Sequence, residues 1–101
     1  MNAAATANAT IQPTLVLPEQ LTMQTTAQAL LVLQRALSSQ AGPAVAIDAQ
    51  GLRVLDSSAV AVLLELRREL QAAGRSMSLR HPPPRLSDLV SLYGVSELLP
   101  T

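Results

Sequence analysis

The stretch AVAIDAQGLRVLDSSAVAVLLELRRELQAAGRSMSLR, residues 44–80, constrains the fold more than any other part of the chain. It opens on a short β-prone apolar run that ends at Asp48. A run of that kind bounded by turn signals reads as a buried central strand. After a loop through Gly51, apolar residues recur at helical spacing from about Ser58 to Ala73. Gly74 then supplies the left-handed residue that ends a helix, and SMSLR alternates in the manner of another strand. Strand, helix and strand in this order require the helix to pack on a sheet.

The flanking segments extend the alternation. Thr14 to Leu17 form a short extended stretch with Pro13 and Pro18 beside it, which suits an edge strand because proline cannot donate to a central ladder. Thr25 with Gln28 three residues later has the pattern of a capping box, and Thr26, Leu30, Leu33 and Leu37 follow on one helical face as far as about Ser38. HPPP delays the last helix to Pro84, a residue suited to a first helical position. Leu86, Leu89, Val90 and Tyr93 then recur at three, four and seven, with Gly94 as the stop. VSELLP is expected to close the chain as a small extended segment. The fold class is therefore α/β, a single domain with a small mixed sheet and helices packed on it. Residues 1–10, small and uncharged, are expected to form a disordered tail ahead of a domain spanning 11–101.

Composition removes several classes of function. Length 101 and 49% hydrophobic residues suffice for one core. Seven arginines, no lysine, and seven acidic residues leave no formal charge, so no bulk field attracts nucleic acid or an anionic membrane. Tyr93 as the single aromatic provides no series of stacking platforms for single-stranded nucleic acid. Without cysteine there is no disulfide or thiolate nucleophile. One histidine, His81, is too few for a histidine metal site, and nothing in its spacing couples it to a serine as a catalytic base. No cofactor or metal is expected. The N-terminus lacks the basic start and apolar core of a secretory signal, and Arg or Glu interrupts every candidate membrane span. These features predict a cytoplasmic protein with no direct membrane insertion.

What remains is the start of the second helix. Ala59, Val62, Leu63, Leu66 and Leu70 converge on one face and belong to the core, while Val60, Leu64, Arg67 and Gln71 form a second strip about a third of a turn away. Arg68, Glu65 and Glu69 complete the polar side. The strip is open to two accounts: a neighbouring helix covers its aliphatics, or it docks a partner, arginine being enriched at interfaces. Asp56, Ser57 and Ser58 are similarly open. A side-chain oxygen at this position caps the helix, yet one residue suffices for that. The helix end also tolerates an anion such as a phosphoserine.

This segment closely resembles the STAS domain of bacterial anti-sigma-factor antagonists, with its strand ending in Asp and a second Asp, eight positions on, opening Asp-Ser/Thr-Ser/Thr-Gly. Asp48 and Asp56 fall on the two aspartates, where they support the loop. The tail DLVSLYGVSELLP is more particularly similar to the STAS subunits of phospholipid-asymmetry (Mla) ABC transporters. The resemblance covers about residues 14–100. Two departures are Glu19-Gln20-Leu21-Thr22 where the family commonly has Gly-Glu-Leu-Asp, and Ala59 in place of a glycine. In the antagonists the phosphorylated serine corresponds to Ser58, and in the transporter subunits the sensitive hydroxyl corresponds to Ser57. The resemblance implies a non-enzymatic subunit that binds an ABC transporter ATPase through Ser57, Val60, Leu64, Arg67 and Arg68 and lies at the inner membrane through that partner. The alternative it implies is an anti-sigma-factor antagonist, switched when an anti-sigma factor kinase phosphorylates Ser58.

Overall fold

The computed structural model describes residues 14–99. The expected tail 1–10, Pro13 and the final Pro100 lie outside the described residues. Among the described residues five strands and three helices follow one another: β1 (Thr14–Val16), β2 (Gln20–Leu21), α1 (Thr26–Ser38), β3 (Ala44–Asp48), β4 (Val54–Leu55), α2 (Ser57–Ala72), β5 (Ser76–Arg80) and α3 (Pro84–Leu92). The main sheet has the order β1-β3-β5. Its central strand carries Val45, Ala46 and Ile47, each fully buried, as a continuous apolar run must be when both faces of a sheet are covered. On β5 the exposed Ser76, Ser78 and Arg80 alternate with the half-buried Met77 and Leu79, the pattern of an edge strand with one wet face.

The α/β class is as the sequence predicts. Every pairing among the described residues is parallel, with Leu15 opposite Ile47 and Ile47 opposite Leu79 in the main sheet. The connections give the reason. β1 reaches β3 through α1, and β3 reaches β5 through α2, and a helical crossover returns the chain in the same direction.

Two features were missed. β2 and β4 form a separate parallel pair of two residues each, Gln20 opposite Val54 and Leu21 opposite Leu55. Strands of that length have no periodicity to read. The Glu19 carbonyl accepts from the Arg53 and Val54 amides at 2.8 and 3.0 Å, and that of Leu21 from the Asp56 amide at 3.2 Å. This ladder holds the β2–α1 turn beside the start of α2. The second miss is the C-terminal segment: Val95–Leu99 is a turn, not extended, with the Leu98 and Leu99 amides both bonded to the Val95 carbonyl at 2.9 Å. Leu99 is fully buried.

The helix ends follow from local chemistry. After α2 the Gly74 amide bonds the Gln71 carbonyl and the Arg75 amide that of Leu70, a Schellman arrangement in which Gly74 takes φ +72°. Gly94 closes α3 identically at φ +69°, with bonds from Gly94 to Ser91 and Val95 to Val90. The capping box expected at Thr25 is not formed. Thr25 already has helical dihedrals of −114° and −15°, whereas a cap needs extended backbone to aim its oxygen at the first turn. Its hydroxyl instead accepts from the Thr22 amide at 2.9 Å and closes the preceding turn.

Candidate functional site

Asp56 precedes α2 in the extended conformation required of a cap, with φ −132° and ψ −166°. Its Oδ1 accepts from the Ser58 amide at 2.9 Å and also from the Ser58 hydroxyl. Its Oδ2 accepts from the Met23 amide at 2.9 Å, across the gap that the β2–β4 pair spans. One carboxylate thus caps the helix and ties down the turn ahead of α1. Hydrogen bonds from Ser58 and then from the Met23 amide hold its pKa below the ordinary value of 3.8.

A depressed folded-state pKa means that the ionised carboxylate stabilises the fold fully above about pH 4, and that this contribution is lost as pH falls through the folded value. Asp56→Asn is therefore expected to lower Tm at pH 7. The gap between variant and wild type should narrow below pH 4, as followed by circular dichroism. A constant gap down to pH 2 would mean that the charge is not what the cap and the turn require.

The two serines have different fates. Ser58 is half-buried and its hydroxyl is engaged by Asp56. Ser57 is exposed, and among the described residues nothing hydrogen-bonds its side chain. Asp48, the other aspartate, ends β3; its Oδ1 accepts from the Gln50 amide at 2.9 Å and lies 3.4 Å from Nδ1 of His81. The Gln50 bond is the main reason that its pKa is lowered, with His81 contributing. His81 adopts φ +53°, the one non-glycine residue with positive φ among those described. Among the described residues the pair makes no hydrogen bond to a serine hydroxyl, and Asp56 meets Ser58 directly, so these residues do not form a Ser–His–Asp relay.

Around the helix start the surface falls into two grooves with α2 as the ridge between them. One, of 320 Å³, is lined by Ser57, Val60, Ala61 and Leu64 of α2 and by Tyr93 and Val95 across from it. The other, of 350 Å³, lies toward α1 and is lined by Thr26, Ala27, Leu30, Ser58, Ala61, Val62 and Glu65. Exposed Ala61 belongs to both and marks the crest.

The strip read from the helical wheel divides between its two accounts. Val60 is not an exposed aliphatic: it is 4% exposed and forms the floor of the first groove, because α3 and the turn after it pack against this side of α2. Leu64 is half-buried in the wall. Arg67 is half-buried and its Nη1 donates to Gln71 at 3.0 Å. Arg68 is exposed and forks onto Glu65, with Nε at 3.1 Å from Oε1 and Nη2 on Oε2, so the two adjacent arginines do not act together. The five core positions predicted for this helix are all buried. Sequence reasoning did not find Tyr93 and Met23, which are 54% and 77% exposed beside the helix start or its groove. Tyr93 had a signal, being the only aromatic and directly preceding a glycine stop.

Fold and site together define a small α/β domain that presents a helix start and two shallow grooves, the form of a protein-interaction module. No helix among the described residues is long and apolar enough to cross a membrane. The chain belongs to the STAS domain family: the family model described as the MlaB STAS domain matches residues 4–100, beginning inside the segment expected as a tail. STAS domains work through protein–protein interaction and are generally regulatory or interaction domains. The fold is also that of the anti-sigma factor antagonist SpoIIAA in its unphosphorylated form, with a TM-score of 0.67 at 23% identity, covering 89% of this chain and 80% of that one. The search of curated proteins finds no match.

Proposed function

We propose that the chain is the STAS subunit of a phospholipid-transporting ABC complex, binding the ATPase through Ser57 and the α2 groove. The observation that carries this reading is the division of labour between the serines. The hydroxyl that corresponds to the sensitive one in transporter subunits is exposed and unbonded at the mouth of an apolar groove, whereas Ser58 is occupied by Asp56. The family model, described as that of MlaB, supports the same branch. In this role the domain supplies no catalytic acid, base or metal. It favours one state of the ATPase by binding that state more tightly, and it sits at the cytoplasmic side of the inner membrane through that partner.

The regulatory reading requires a phosphoryl group on Ser58. That group would displace the hydroxyl's bond to Asp56 and place like charges side by side. Purification of the tagged chain from its own cells, followed by mass spectrometry, separates the two. Recovery of an ABC ATPase with the unmodified chain is the expected result. Recovery of an anti-sigma kinase that phosphorylates Ser58 would replace this reading with the other.

A further inference from the structure

A second hollow follows the apolar groove beside Tyr93 along α2. One turn further along α2, a notch of 220 Å³ is lined by Arg67, Gln71 and Arg75, with Glu97 and Leu98 on the far wall. Positions 57, 60, 64, 67 and 71 advance by three or four, which is one face of a helix, and Arg75 follows just past the helix end. The far wall advances in step, from Tyr93 and Val95 to Glu97 and Leu98. The two hollows therefore follow one another along the seam between α2 and the C-terminal turn, the first apolar and the second polar. Leu64 and Gln71 lie about 10 Å apart along the helix axis.

The polar end has an unanswered positive charge. Arg67 donates to the neutral amide of Gln71, and among the described residues no carboxylate lies within salt-bridge range of it. Arg75 places Nε on the Gly42 carbonyl at 2.6 Å and Nη1 on that of Leu37 at 3.5 Å, while its buried Nη2 has no partner among the described residues. Buried donors in native proteins are normally satisfied. Glu97 contributes one negative charge against two arginines in the same notch. Elsewhere on α2, Arg68 is paired with the Glu65 carboxylate, and Glu69 accepts from the neutral amide of Gln34 at 2.5 Å.

We propose that this seam takes an acid-bearing apolar segment of the partner polypeptide, an aliphatic side chain entering between Leu64 and Tyr93 and a carboxylate reaching Arg67. The partner's identity rests on the transporter reading; the chemistry of the segment rests on the seam itself. Apolar contact supplies the affinity, and the charge sets register and direction, since an arginine facing a reversed segment meets no acid.

The test uses the full chain, labelled with ¹⁵N, and synthetic alanine-based helical peptides with both ends blocked. Each carries one leucine and, about two turns (~10 Å) away, either glutamate or lysine. Amide shifts are expected at residues 57–71 and 93–98, with the glutamate peptide bound at least tenfold more tightly. Tyr93 emission, with no tryptophan to obscure it, should give the same isotherm. Arg67→Glu should invert the preference, and Arg67→Gln, which keeps a polar side chain at the position, should abolish it. Equal affinity for both peptides, shifts confined to the α1 side, or no shift up to millimolar peptide would overturn the proposal. A wild-type chain that still recovers an ABC ATPase while showing no charge preference would remove this inference alone and leave the subunit reading standing.

Discussion

Truncating Leu99 to alanine is expected to destabilise the domain by about 2–5 kcal/mol, the usual cost of emptying a fully buried leucine site. In a domain of this size that corresponds to a fall in Tm of more than about 10 °C. Leu99 is completely buried although it follows the last helix by several residues, and the turn from Val95 is what carries it back into the core. Its neighbour Leu98 provides the control. At 40% exposure, Leu98→Ala should change stability by no more than about 0.5 kcal/mol. Urea titrations of both variants measure the difference. Equal midpoints would mean that the C-terminal turn is not part of the fold and that the far wall of the α2 seam has no fixed position.

The second large effect is expected at Ser57. Ser57→Arg places a long charged side chain at the mouth of the apolar groove while leaving the Asp56 cap and every buried residue of α2 untouched. Melting should stay within a few degrees of wild type. Affinity for the ATPase proposed as its partner should fall about a hundredfold, roughly 2.7 kcal/mol, a loss of the size seen at the centre of an interface. Ser58→Ala supplies the contrast. It removes a hydroxyl already engaged by Asp56, keeps the capped amide, and is expected to bind within threefold of wild type. Calorimetric titration of the three proteins reads both values. Binding lost with Ser58→Ala and kept with Ser57→Arg would reverse the roles assigned to the two hydroxyls.

Much of this fold is legible in the sequence because its longer elements carry strong periodic signals. Five α2 core positions follow from a wheel, and the buried AVAID strand is a continuous apolar run. Both glycine stops lie where left-handed backbone is needed. The failures share a cause in contacts that have no local pattern. The β2–β4 pair is two residues long on each side and exists because Glu19 and Leu21 meet Arg53, Val54 and Asp56. Thr25 has the residues of a capping box but the backbone of a turn. The direction of the strands follows from the crossovers rather than from composition.

At the candidate site the same division holds. Capping by Asp56 could be read from residue type, whereas its second bond, to Met23, joins positions 33 apart. The wheel groups Val60 with Leu64 because it has no knowledge of what packs alongside, and the former is buried where the latter is half-exposed. Adjacent in sequence, Arg67 and Arg68 point to different neighbours, one toward Gln71 and the seam, the other onto Glu65.

Hydrogen–deuterium exchange of the chain, alone and in complex with the ATPase proposed as its partner, bears most directly on where the partner sits. New protection is expected along 57–71 and 93–98, with the outward faces of β1 and α1, including Val16, Leu31 and Val32, exchanging as in the free chain. Protection confined to that β1 and α1 surface, with the start of α2 unchanged, would contradict the account.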